Sequence, residues 1–159
     1  MHKATGIWAA ILLLLSSCDP ERVYEKNVEL PESNWQIDNA PVFEFEIQDT
    51  TQLYDIFFNV RYNLQYDYYN LYLRHQLTGP DDNLVSSKLH EVLLMDSKTG
   101  KPLGDGSSDT YDLQIRALND VKFSKKGTYE LALTQYMRRD PLPHVQAVGI
   151  RVAKDSNKD

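Results

Sequence analysis

Cysteine is almost missing from this chain: Cys18 is the only one. A disulfide framework is therefore excluded, and a domain lying beyond Cys18 suits an oxidising compartment, because it has no thiol to mispair. Basic charge is in deficit, with 17 Lys and Arg against 23 Asp and Glu for a formal net charge of −6. That balance argues against nucleic acid and anionic lipid surfaces as partners. Histidine is scarce. His2 lies at the extreme N-terminus, and His75, His90 and His144 stand on separate elements without metal-ligand spacing or an adjoining Ser or Cys nucleophile motif. A lone strand histidine reads as a half-exposed structural residue. Gly100-Lys101 and Gly104-x-Gly106 lack the upstream spacing and following helix of a phosphate loop. Asp96, Asp105 and Asp109 flank a glycine loop without the Asp-x-Asp-x-Asp-Gly pattern of a calcium site, so a solvated loop is expected. No pair of carboxylates is singled out for glycoside hydrolysis. Neither a cofactor nor a metal is implied.

Long hydrophobic runs are missing as well. The longest, Ile7 to Leu15, rises roughly 1.5 Å per residue as a helix, far short of a ~30 Å hydrocarbon core. With Lys3 upstream it reads as the apolar region of a secretory signal. Leu15-Ser16-Ser17-Cys18 then matches a bacterial lipobox, in which an aliphatic and two small residues precede a cysteine whose thiol accepts diacylglycerol. The plainer alternative is an ordinary secretory signal with a chance cysteine near its end. The lipobox reading divides the chain into a signal peptide, 1–17, a lipidated N-terminus and tether, 18–34, one domain, 35–153, and a polar tail, 154–159. Two or three acyl chains on Cys18 would anchor the protein to a membrane without spanning it. The remaining length can bury roughly 70% of its unfolded surface and needs no metal or disulfide staple.

Asp19 to Asn34 is polar with two prolines and reads as a tether, although Tyr24 and Val28 can dock onto a sheet. From Trp35 onward the chain is a series of short alternating runs. Val42–Gln48 alternates Phe43, Phe45 and Ile47 with Glu44, Glu46 and Gln48, which marks a half-buried strand. Tyr54–Asn63 and Asn70–Leu77 follow, the second with Leu71, Leu73 and Leu77 opposite Tyr72, Arg74 and Gln76. Lys88–Asp96 contains the unbroken run Val92-Leu93-Leu94-Met95, compatible with a doubly buried strand or a short helix. After a glycine-rich loop, 97–109, strands are expected over Tyr111–Ala117, Thr128–Met137 and Val145–Val152. Seven or eight short strands with turn signals and no long amphipathic helix predict an all-β fold, an antiparallel β-sandwich of jelly-roll or immunoglobulin-like type.

The most informative cluster is aromatic. Ten residues are tyrosine, and Tyr66, Tyr68, Tyr69 and Tyr72 gather at the joint between two predicted strands. Tyrosine suits interfaces and sugar-stacking platforms, and it equally suits cross-strand packing. Tyr66, Tyr68, Tyr69, Tyr72 and Arg74 form the candidate partner surface.

The chain resembles the GldH family of gliding-motility lipoproteins from Cys18 to about Arg151. The likeness is carried by Tyr24 and Trp35, Arg61-Tyr62-Asn63, Tyr66-Asp67-Tyr68-Tyr69-Asn70-Leu71 and Pro80. It continues through Asp96, Gly100, Leu103-Gly104-Asp105-Gly106, Phe123, Gly127-Thr128-Tyr129, Gln135-Tyr136-Met137-Arg138 and Val148-Gly149-Ile150. Pro102-Leu103 departs from the family, where an aromatic residue is expected. The resemblance implies a lipid-anchored cell-envelope protein, in the periplasm or at the cell surface, acting with other envelope proteins of a gliding or secretion apparatus. It brings no catalytic residues. Two other readings compete with it: a carbohydrate-binding sandwich lipoprotein that stacks sugars on the same tyrosines and Trp35, and an envelope hydrolase, which would need a pocket of converging carboxylates or histidines.

Overall fold

The computed structural model describes residues 19–155. Cys18, the expected signal peptide and positions 156–159 of the expected tail lie outside the described residues. Eleven strands are assigned: β1 (Arg22–Glu29), β2 (Asn34–Trp35), β3 (Val42–Ile47), β4 (Tyr54–Asn63), β5 (Asn70–Thr78), β6 (Leu84–Leu93), β7 (Asp105–Ser107), β8 (Thr110–Val121), β9 (Gly127–Gln135), β10 (Leu142–Pro143) and β11 (Val145–Lys154). One sheet runs β1-β11-β4-β8-β7, the other β3-β9-β5-β6, and β10 pairs with β2. Every pairing is antiparallel. The two large sheets pack as the expected sandwich.

Alternation explains the layers. In β3 the phenylalanines and Ile47 are buried while the intervening glutamates are exposed. In β5 Leu71, Leu73, His75 and Leu77 point inward. β11 alternates less, because its outward positions include the small residues Ala147, Gly149 and Ala153, flanked on both sides by the larger side chains of β1 and β4. One end of the core is aromatic: Phe123 stands edge-on to Tyr54 at 5.3 Å and to Tyr129 at 4.6 Å. The other end is filled by Trp35, Tyr62, Leu71 and Leu94, all fully buried.

Besides the short β7, which lies within the expected loop 97–109, and the two-residue β2 and β10, two longer elements differ from expectation. The middle of the expected tether is strand: β1 pairs with β11 from Arg22 opposite Ala153 to Glu29 opposite Ala147. β1 is thus part of the sandwich, and Trp35 is fully buried in its core. The connection from Asp19 is also fixed, since the Asp19 carboxylate pairs with Arg151 and its carbonyl accepts the Arg22 N–H at 3.3 Å. Gly149 allows this docking. A Cβ there would lie 2.0 Å from Asn27 Oδ1 and 2.3 Å from the Lys26 carbonyl oxygen, and in that space Asn59 Nδ2 reaches Asn27 Oδ1 at 3.0 Å across β11. The second difference is β6, which starts earlier than expected, at Leu84. Val92 is buried and Leu93 exposed, and Leu94 and Met95 enter the core after the strand has ended.

The topology polarises the molecule. β1 starts opposite Ala153, and Lys154 pairs with Tyr54 at the start of β4. β4 then runs away from that end to Asn63, where 64–69 cross to β5 in the other sheet. The tyrosine segment therefore lies at the end of the sandwich opposite Asp19, about 26 Å away for eight strand residues at ~3.3 Å each.

Candidate interaction surface

Strand parity sorts the expected surface residues. Tyr72 and Arg74 point outward from β5, as their alternation with Leu71 and Leu73 requires. Tyr68, Tyr69 and Tyr72 keep 36%, 46% and 36% of their surface exposed. Tyr66 goes the other way. It is 4% exposed, its hydroxyl donates to the Asn70 carbonyl at 2.9 Å, and its ring braces Tyr68 edge-on at 5.7 Å. Burial, with Tyr68 and Asp67 nearby, raises the Tyr66 phenol well above its ordinary pKa. Tyr66 thus supports the surface from beneath.

A segment that pattern reading left out of the surface completes it. β9 ends at Gln135, and Tyr136, Met137 and Arg138 follow alongside β5. The Tyr136 N–H donates to the Tyr72 carbonyl at 2.8 Å. Gln135, fully buried, clamps this turn: its Oε1 accepts the Met137 N–H at 2.7 Å and its Nε2 donates to the Arg139 carbonyl at 3.1 Å. Arg139 reaches back to Asp67 at 2.5 Å. Tyr68, Tyr72, Tyr136, Met137 and Arg138 then line a cavity of about 260 Å³. The Arg74 guanidinium lies 4.5 Å from the centroid of the Tyr136 ring. On the other side of Tyr72, Glu91 accepts from Asn70 Nδ2 at 2.7 Å and also bonds the Tyr72 hydroxyl, raising the Tyr72 pKa. The sequence signal for the missed segment was a second Tyr beside an Arg at the end of the strand expected over Thr128–Met137.

A cleft of about 650 Å³ is lined in part by Glu29, Arg61 and Asp112. Arg61 contacts Glu29 at 3.3 Å and Asp112 at 2.9 Å, so these two carboxylates face a guanidinium, and Glu32 also lines the cleft. Asp96 accepts the N–H groups of Thr99 at 2.8 Å and Lys98 at 2.9 Å, which cap the glycine loop and lower its pKa. Among the described residues no group of three His, Cys, Asp or Glu side chains could hold a metal ion. Trp35, a sugar platform in the carbohydrate reading, is fully buried and donates to the Asn39 carbonyl at 3.0 Å, so no sugar can stack on it.

His90 and His144 are half-exposed as expected, and His75 is the exception. His75 is fully buried rather than half-exposed, and the cross-strand pairing brings it to His90, with Nδ1 2.7 Å from His90 Nε2. Its Nε2 lies 2.9 Å from Ser86 Oγ. Burial, then the proximity of His90 and Lys88, lowers the His75 pKa from 6.5 to about 4, and burial with Lys88 also lowers that of His90. A Ser–His–His chain resembles a nucleophile relay in outline. These side chains face the sandwich interior, and none of them lines one of the clefts described above.

Comparison with known proteins follows the same lines. A family model described as GldH lipoprotein matches residues 22–152. A Christiangramia forsetii protein named "Gliding motility lipoprotein GldH homolog" is 32% identical over 166 aligned residues, covering 99% of this chain and 100% of the relative. The Flavobacterium johnsoniae protein named "Gliding motility lipoprotein GldH" is 30% identical over 147 residues, covering 92% of this chain and 89% of the relative.

Proposed function

Because the chain belongs to the GldH lipoprotein family, we propose that it is a non-enzymatic interaction component of a gliding or secretion apparatus, held in the cell envelope by lipid on Cys18. Its family is one of gliding-motility lipoproteins, which implies a membrane-associated protein, and among the described residues no helix is long and apolar enough to cross a membrane. Residues 1–17 act as the signal peptide, and the mature chain is one domain. Only Asp19 to Glu21 separate the lipidated cysteine from β1, so the sandwich sits close against its membrane. The partner surface is Tyr68, Tyr69, Tyr72 and Arg74, with Tyr66 as its support.

The observation that carries this reading is the build of that surface. Three exposed tyrosines and Tyr136 stand together at the end opposite Asp19, held by a buried glutamine and a buried tyrosine. Rigid aromatic side chains beside arginine are the residue types that dominate binding hot spots, where truncation costs on the order of 2 kcal/mol or more. The test compares Tyr68→Ala and Tyr72→Ala for melting temperature and for cell movement over surfaces or export. Lost function with unchanged melting supports an interface. Variants that melt early, or that are silent in both assays, defeat it.

A further inference from the structure

The arginines show an imbalance at this same surface. The chain has seven arginines in a protein of net charge −6. Five of them contact carboxylates: Arg22 with Glu25, Arg61 with Asp112, Arg116 with Asp55, Arg139 with Asp67 and Arg151 with Asp19. Among the described residues Arg74 and Arg138 contact none. Arg74 has the Tyr136 ring, and Arg138 lines the tyrosine cavity. Both guanidiniums without a carboxylate partner therefore stand at one aromatic pocket, in an acidic chain.

Resting on the partner surface proposed above, we infer that this pocket binds an acidic segment of a partner protein. A carboxylate of that segment pairs with Arg138 and Arg74, and a neighbouring side chain enters between Tyr68, Tyr72 and Tyr136. The carboxylates closest by in the chain do not compete. Asp67 is taken by Arg139, Glu91 by Asn70 and Tyr72 on the β6 side, and Asp140 Oδ1 accepts the Ile37 N–H at 2.9 Å. Arginine is suited to the task, because its planar fork grips a carboxylate with two parallel hydrogen bonds and its faces stack on rings. Size points to a side chain as the guest: about 260 Å³ lies below the ~300–1,000 Å³ of small-molecule sites. Position argues against an anionic lipid headgroup, since the pocket is at the end opposite Asp19.

The test uses the full-length protein in its own cells, with the photo-reactive residue p-benzoylphenylalanine in place of Tyr69 and, separately, of Tyr136. Irradiation should give an adduct whose mapped peptide carries Asp or Glu next to the crosslink. Arg138→Glu should cut adduct yield about tenfold or more, the scale of one lost charged contact, and Arg138→Lys should retain most of it. Arg138 is exposed, so neither substitution should change the melting temperature. A mapped peptide without carboxylates, or an adduct indifferent to Arg138→Glu, overturns the acidic partner and leaves the surface itself standing. An adduct to glycan or lipid also overturns it. No adduct from either position removes the surface reading together with this inference.

Discussion

Acid should destabilise this sandwich first at His75. The side chain is fully buried between Ser86 Oγ at 2.9 Å and His90 Nε2 at 2.7 Å, with Phe58 edge-on to the His90 ring at 5.1 Å and the Lys88 ammonium also acting on it. Neutral imidazoles satisfy this chain of hydrogen bonds, each offering one donor and one acceptor. Protonating both rings would set two donors against each other across the short contact. Burial lowers the His75 pKa from 6.5 to about 4, so between those values the unfolded chain binds the proton and the folded chain does not. The unfolded state then holds more protons, and stability falls as pH drops through that window. The loss works out to about 1 kcal/mol at pH 5.5 and about 3 kcal/mol at pH 4 relative to pH 7. At ~3–5 °C per kcal/mol for a domain of this size, the melting temperature should fall by about 4 °C at pH 5.5. Carboxylates held low act in a separate window: Asp19 beside Arg151, Asp49 beside Thr51 and Asp96 beside Thr99 lose their contribution only as pH falls through the carboxylate range. His75→Gln keeps hydrogen-bonding capacity and removes the titration. Thermal melts of wild type and variant at pH 7, 5.5 and 4.5 should diverge in slope, with His90 leaving a smaller residual in the variant. Parallel curves would refute the reasoning.

Three further outcomes are expected. Cys18→Ala should abolish incorporation of labelled palmitate, and a labelled mutant would remove the lipid anchor from the proposal. Gly149→Ala should destabilise by about 1–3 kcal/mol, because its Cβ would meet the Lys26 carbonyl oxygen at 2.3 Å and displace β1; an unchanged urea midpoint would show that the strand yields freely. A fragment starting at Asp19 should fold as a β protein with a melting temperature indifferent to reductant and chelator, and a helical circular dichroism spectrum would contradict it.

The fold was legible wherever a strand had one wet and one dry face. The expected span Tyr54–Asn63 coincides with β4, and β3 and β5 fall within one residue of expectation, because burial on one face imposes the period of two. β1 was misread for a physical reason. It is an edge strand whose inward positions are Tyr24, Lys26 and Val28, so the apolar signal is interrupted by a lysine at its centre. Tyr24 and Val28 pack against the core as their apolar character allows, but backbone pairing with β11 and the space above Gly149, which complete its hold, leave no mark in the residues of β1 itself. β6 was blurred similarly, since at the other sheet's edge only Val92 within the strand is buried.

The surface was legible by halves. Parity alone separated Tyr72 and Arg74 from Leu71 and Leu73, and the same parity placed His75 inward, though a histidine between leucines invites the opposite expectation. Tyr66 and Tyr68 are two apart in a connection rather than a strand, so alternation could not say that one would brace the other. The second half came from far along the chain. Tyr136–Arg138 joins Tyr72 only because β9 pairs with β5 and Gln135 turns the backbone beyond it. A side chain's charge can be read from sequence, but whether a carboxylate meets it is a property of the packed sheet. Arg138 and Arg139 are neighbours in sequence with the same chemistry. Arg139 contacts Asp67, while Arg138 turns to the tyrosine cavity, and that difference carries the case for an acidic guest.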